Sequence, residues 1–167
     1  MDIAVPLTEP RTTVEALYRA DAPKLWRAVY AWSGDLDIAS EAVAEAYAQV
    51  VARGDAVRDP AAWTWRTAFR IAGGALKARR ADREVNVEMP EPGASEPAAH
   101  DRYADTDLRS ALRQLPDGQR AAVVLFYFAD LPIRDIADRL GSSNLAVRAN
   151  LSRGRRRLRD LLGDDDG

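Results

Sequence analysis

Cysteine is absent from all 167 residues. Its absence excludes disulfides and thiol chemistry, and it fits the reducing cytoplasm in which this chain is expected to work. Lysine occurs only at Lys24 and Lys77, so almost all the positive charge is arginine. No apolar run approaches the ~18 residues of a membrane span, and no membrane segment is expected. The stretch MDIAVPLTEPRTT lacks a basic start and an apolar core, so no signal peptide is expected. The single histidine, His100, has no second ligand nearby, and without cysteine no zinc site is expected. Neither common phosphate-binding glycine loop is present. The carboxylates form no defensible catalytic pair. No catalytic residue, metal or cofactor is therefore assigned, and an enzyme is not expected. Sustained strand alternation is missing as well.

What remains is helix. TTVEALYRADAPKLWRAVYAWSG opens on a capping-box pattern, Thr12 with Glu15. Tyr18, Ala22, Leu25, Val29 and Trp32 follow at helical spacing, Pro23 is expected to bend or restart the helix, and Gly34 to end it. DIASEAVAEAYAQVVARG predicts a second helix with Ile38, Ala42, Ala46 and Val50 inward and Gly54 as its stop. DPAAWTWRTAFRIAGGALKARR predicts a third, capped by Asp59 with Pro60 at its first position. Its Gly73–Gly74 pair marks either a bend or close packing.

The segment REVNVEMPEPGASEPAAH breaks this pattern with three prolines, several acids and little apolar mass. It predicts a flexible acidic linker. The expected organisation is all-α, with a helical domain over 12–82, the linker over 83–104, a second helical domain over 105–162 and an acidic tail over 163–167.

Charge follows the same division. Residues 81–107 hold 2 basic and 8 acidic side chains, a net −6, whereas 108–162 hold 11 basic and 5 acidic, a net +6. On charge alone this fits either a polyanion partner or a solvated arginine face. Geometry narrows the choice. Pro132 starts a short helix with Ile133, Ile136, Ala137 and Leu140 inward, Gly141 supplies a tight turn, and Ser142 or Ser143 can cap the next helix. There Val147, Leu151, Gly154 and Leu158 form the inner face, and Arg148, Arg155 and Arg159 lie about 100° around it. This is the spacing of a helix-turn-helix, whose second helix can enter the major groove. A helical hairpin with a basic surface has the same spacing, but the turn glycine and the arginine placement together favour DNA binding.

The stretch RAAVVLFYFADLPIRDIADRLGSSNLAVRANLSRGRRRLRDLL resembles region four of bacterial sigma factors. LYRADAPKLWRAVYAWSGD, the AVAEAY stretch and DPAAWTWRTAFRIA resemble sigma region two. Two such regions joined by a short linker resemble the extracytoplasmic-function (ECF) group over residues 12–162. The resemblance implies a protein that binds core RNA polymerase and directs it to promoter DNA. Region four would read the minus-thirty-five element, and region two would hold the polymerase clamp and open the minus-ten element. An anti-sigma protein joins the expected partners because the family often uses one. Competing expectations are a stand-alone helix-turn-helix regulator and a degenerate sigma-like protein that does not initiate transcription.

Carried onto this sequence, the resemblance assigns the upstream element to Ser143, Arg148, Asn150, Arg153, Arg155 and Arg156. Asn150 stands where the family often has arginine, and asparagine can pair bidentately with adenine. Ser142 stands where an apolar residue is common. The minus-ten element falls to Arg58, Trp63, Trp65, Arg66, Phe69, Arg70, Lys77, Arg79 and Arg80. The aromatics of that set can stack on unpaired bases while the cations follow phosphates, although either tryptophan could equally be core. Asp37, Glu41 and Glu45 recur at i, i+4 and i+8 as one acidic stripe. Spacing alone fits a solvated face, and the resemblance makes it the polymerase-binding face. Glu41 replaces the family's usual Asp and Ala44 its frequent Gln.

Overall fold

The computed structural model describes residues 10–85 and 102–163, with side chains over 14–85 and 107–163. Seven α-helices and one short 3-10 turn make up the described residues, with no strand among them. Three helices form the N-terminal half: α1 (Pro10–Ser33), α2 (Leu36–Arg53) and α3 (Pro60–Val85). Four form the C-terminal half: α4 (Arg102–Arg113), α5 (Asp117–Tyr127), α6 (Ile133–Leu140) and α7 (Asn144–Leu162).

Most stop and start signals act where the residues place them. Gly34 ends α1 at a φ of +71° and donates its N–H to the Tyr30 carbonyl at 2.8 Å. Asp35 caps α2 by accepting from the Asp37 and Ile38 amides, each at 3.0 Å. Asp59 accepts from the Ala62 amide at 3.0 Å, with Pro60 as the first residue of α3. Side-chain oxygens thus satisfy amides that have no partner inside the helix.

Five expectations need correction. Helix α1 is already running at Pro10, so Thr12 lies inside it and not at its cap. The helix passes through Pro23 without a break. Tyr18, in phase with the buried Ala22, Leu25, Val29 and Trp32, is nonetheless half exposed and lays its ring edge-on to Tyr47 at 4.9 Å. Helix α3 runs on to Val85 and α4 begins at Arg102, so both invade the 83–104 segment. The rest of that segment and the acidic tail beyond Gly163 lie outside the described residues. The Gly73–Gly74 pair neither breaks α3 nor serves a close approach. A Cβ at Gly73 would make ordinary contact with Trp32 at 3.6 Å, and one at Gly74 would meet nothing within 4 Å.

The apolar stripes of all these helices meet in one connected core. Leu25, Val29, Val50 and Trp65 fill the N-terminal part, and Val124, Leu125, Ile136 and Val147 the C-terminal part. Burial of such side chains contributes about 1.5–3 kcal/mol each relative to exposure, so the stripes dominate the stability of each half. Trp32 bridges the two parts. It is buried, donates Nε1–H to the Asp117 carbonyl at 3.2 Å, and carries the Arg120 guanidinium 4.9 Å over its ring. The two halves therefore pack against each other.

Candidate nucleic-acid interface

The turn between α6 and α7 is built by Gly141 and Ser143. Gly141 has φ +64° and ψ +38°, a left-handed conformation that glycine adopts without steric cost. It closes α6 with the Ser142 amide donating to the Ala137 carbonyl at 2.9 Å. Ser143, not Ser142, caps α7, its Oγ accepting from the Ala146 amide at 3.1 Å. Ile136, Ala137, Val147 and Leu151 bury the inner faces of both helices. Gly154 brings α7 close to α5: a Cβ there would lie 2.8 Å from Val123 Cγ2 and 3.3 Å from the Gln119 carbonyl oxygen. The helix-turn-helix is thus held by a left-handed turn, a side-chain cap and a tight helix crossing.

Of the upstream-element set, Ser143, Arg148, Arg153, Arg155 and Arg156 are exposed. They are not equally free. Arg155 donates Nε–H to Tyr127 Oη at 2.6 Å and lies 5.2 Å and 5.4 Å from the Phe126 and Tyr127 ring centres. It is held against the end of α5. Asn150 is half-buried and faces the start of α5, where a Cβ on Gly118 would lie 3.2 Å from its Nδ2. The Ser143 hydroxyl is engaged in the cap. Arg148, Arg153 and Arg156 are left as the outward cations of the set. Leu145 shares their surface at 78 % exposure, and the sequence pattern did not single it out. Its one sequence signal is an apolar residue out of phase with Val147 and Leu151.

The minus-ten set divides more sharply. Trp65 is fully buried, bonds through Nε1–H to the Asp21 carboxylate, and has the Arg139 guanidinium 4.6 Å over its ring. Phe69 is buried between it and Trp32, at ring distances of 6.5 Å and 5.5 Å. In this arrangement both are core, because the α3 face that carries them packs on α1 and α6. Trp63 is half-buried, with the Arg53 guanidinium 5.4 Å from its ring. Arg58, Arg66, Arg70, Lys77, Arg79 and Arg80 are exposed. Arg66 donates Nη2–H to the Asp138 carbonyl at 2.7 Å, Arg79 pairs with Asp35, and Arg80 Nη2 lies 3.8 Å from Asp117. Arg66, Arg70, Lys77 and Arg80 share one face of α3 by helical spacing, with the two glycines between Arg70 and Lys77.

Asp37, Glu41 and Glu45 are all exposed on α2, on the side away from Ile38, Ala42, Ala46 and Val50. Glu45 accepts from Gln49 Nε2 at 2.8 Å, one turn on along the same helix. Two ionisable groups are shifted from their ordinary values. Burial holds the Arg120 guanidinium below the ordinary arginine range, against the opposing pull of Asp117. Burial, reinforced by Asp21 and Tyr18, raises the Tyr47 phenol well above the usual tyrosine range. Among the described residues no group of three or more His, Asp or Glu could hold a metal ion. No described helix is long and apolar enough to cross a membrane.

Known proteins resemble this chain in sequence and in fold. The family described as sigma-70, region 4 matches residues 105–158, the span of α4 to α7. The chain is 29% identical over 134 residues to the RNA polymerase sigma factor SigV of Bacillus subtilis, covering 78% of this chain and 77% of that one. Over 78 residues it is 41% identical to the ECF RNA polymerase sigma factor SigE of Mycolicibacterium smegmatis, covering 47% of this chain and 29% of that protein. Among solved structures, the sigma factor RpoE of Bartonella quintana, crystallised with the anti-sigma factor NepR, superposes with a TM-score of 0.73 at 22% identity, covering 92% of this chain and 99% of that one. CnrH, in complex with the cytosolic domain of CnrY, superposes at 0.67 with 21% identity over 93% and 90% of the two chains. Residues 105–158 thus match sigma-70, region 4, the chain is similar along most of its length to a bacterial RNA polymerase sigma factor, and its fold is that of RpoE and CnrH.

Proposed function

We propose that this chain is a sigma factor of the extracytoplasmic-function group, that it directs core RNA polymerase to promoters, and that it divides the task between its two halves. The C-terminal half reads the upstream element as duplex, through Arg148, Arg153 and Arg156 on the outward face of α7. The cations Arg66, Arg70, Lys77 and Arg80 on α3 follow the strand at the minus-ten element, helped by Arg58, Arg79 and the half-buried Trp63. The stripe Asp37, Glu41 and Glu45 on α2 meets the polymerase. The division falls between α3, which ends at Val85, and α4, which begins at Arg102.

The single observation that carries the reading is the exposed cation face of α7 behind a glycine turn and a serine cap. A helix so presented offers side chains to base edges and phosphates of a major groove. The chain performs no bond-making chemistry of its own in this role; the polymerase supplies it. A cytoplasmic location follows from the partner. RpoE was crystallised with the anti-sigma factor NepR, and CnrH is in complex with the cytosolic domain of CnrY. An anti-sigma partner is proposed for this chain as well.

Reconstitution with core polymerase on a promoter library tests the whole reading. Initiated transcripts should share one upstream and one downstream element. Replacing Arg148, Arg153 or Arg156 by Ala should weaken duplex binding and reduce its salt slope by about one for each phosphate no longer neutralised. Promoter-specific transcripts that do not increase when this chain is added, or duplex binding indifferent to salt, would refute it.

A further inference from the structure

Leu145 is the most exposed bulky apolar side chain inside any described helix other than Val85, the last residue of α3. It sits one residue into α7, directly after the Ser143 cap and Asn144. At 100° per residue it lies about 200° round the helix from Val147, on the side opposite the buried stripe. Arg148 and Ser152, three and seven residues on, fall on the same face and are exposed with it. An isobutyl group in water contributes nothing to this fold. It has no donor or acceptor, so it cannot read the polar edges of guanine, adenine or cytosine. The one apolar feature in a major groove is the C5-methyl of thymine.

We infer that Leu145 is a specificity-determining residue that selects thymine in the upstream element through its methyl group. The inference rests on the proposed duplex reading by α7 and adds the base that this chain prefers. Three observations support it together. The Ser143 cap and the left-handed Gly141 hold the first turn of α7 in one place, so the backbone that carries Leu145 is fixed. Arg148 stands one turn on along the same face, close enough to hold a neighbouring base or phosphate. Asn150, the other residue assigned to base reading, faces α5, which leaves the start of the helix as the part that meets base edges.

The test uses the full chain assembled with core polymerase. A preferred promoter is first selected from a random upstream duplex. Each thymine of that element, on either strand, is then replaced singly by deoxyuridine, which deletes only the methyl. One position should lose affinity about fourfold, the value of one methyl group removed from water. Leu145→Ala should bind the parent promoter about as weakly as the wild type binds the uridine promoter, and should no longer distinguish the two. Leu145→Met should keep the discrimination. Both changes are at an exposed position, and circular dichroism checks that helicity is unchanged. A selected element without a methyl-sensitive thymine, or a Leu145→Ala protein as methyl-sensitive as the wild type, overturns the inference while leaving duplex reading intact. A wild-type assembly with no sequence preference upstream overturns the duplex reading itself and the inference with it.

Discussion

Arg66 reaches from α3 to α6, donating Nη2–H to the main-chain carbonyl of Asp138 at 2.7 Å. Beside it Arg139 returns the contact, its guanidinium 4.6 Å over the Trp65 ring. The helix assigned to the minus-ten element is therefore held by the first helix of the helix-turn-helix. A promoter strand could not use the start of the α3 cation face until this contact opens.

Gly141 tests the closed arrangement. A Cβ there would lie 3.1 Å from Arg66 Nε, on a residue with φ +64°. Gly141→Ala should cost about 1–2 kcal/mol from the left-handed conformation alone. It should also raise hydrogen exchange in α6 and in the first turns of α3 together. Arg66→Ala removes the link without backbone strain, and should give the same exchange pattern with a smaller loss of stability. Faster exchange in α6 alone would show that the two helices do not open as one unit.

Gly154 tests the crossing of α5 and α7. With a Cβ only 2.8 Å from Val123 Cγ2, Gly154→Ala overpacks the crossing. Urea unfolding should register a loss of about 1–3 kcal/mol. The second change Val123→Ala makes room, so the double variant should be less unstable than the two single losses added together. Simple additivity would place the strain elsewhere.

Tyr47 predicts an alkaline limit. Its hydroxyl is buried without a hydrogen-bond partner, and its folded pKa stands above the unfolded value of about 10. The neutral phenol is the form the fold accepts. Its contribution is fully present below pH ~10 and is lost as pH rises from there toward the folded pKa. Tyr47→Phe should be neutral or stabilising at pH 7 and should flatten the decline above pH ~10. Thermal melts from pH 7 to 11 measure both, and an unchanged alkaline decline would exclude Tyr47 as its cause.

The acidic stripe separates docking from folding. Asp37, Glu41 and Glu45 are exposed, and exposed charges contribute at most about 1 kcal/mol each to stability. At an interface the same charges set orientation and association rate. The triple reversal Asp37→Lys, Glu41→Lys, Glu45→Lys should leave helicity and duplex binding nearly intact while abolishing capture of core polymerase. Wild-type affinity in a folded triple variant would remove α2 from that interface.

The amino-acid sequence by itself determined what depends on neighbours within about a turn. The caps at Asp59 and Ser143, the stop at Gly34, the turn at Gly141 and the buried stripes of α2 and α7 all follow from side chains three or four residues apart. The order of helices and the basic face of α7 were legible for the same reason. Tertiary structure decided which members of a polar or aromatic face remain accessible. Trp65 and Phe69 look like a stacking pair along the chain, yet Trp32, Asp21 and Arg139, all distant in sequence, enclose them. Arg155 has the same local setting as Arg156, but Phe126 and Tyr127 of another helix hold only the former. Leu145 is apolar and stays in water because no described helix crosses that side of α7. Exposure is set by which elements cross above a residue, and that information is not contained in the spacing of its own helix.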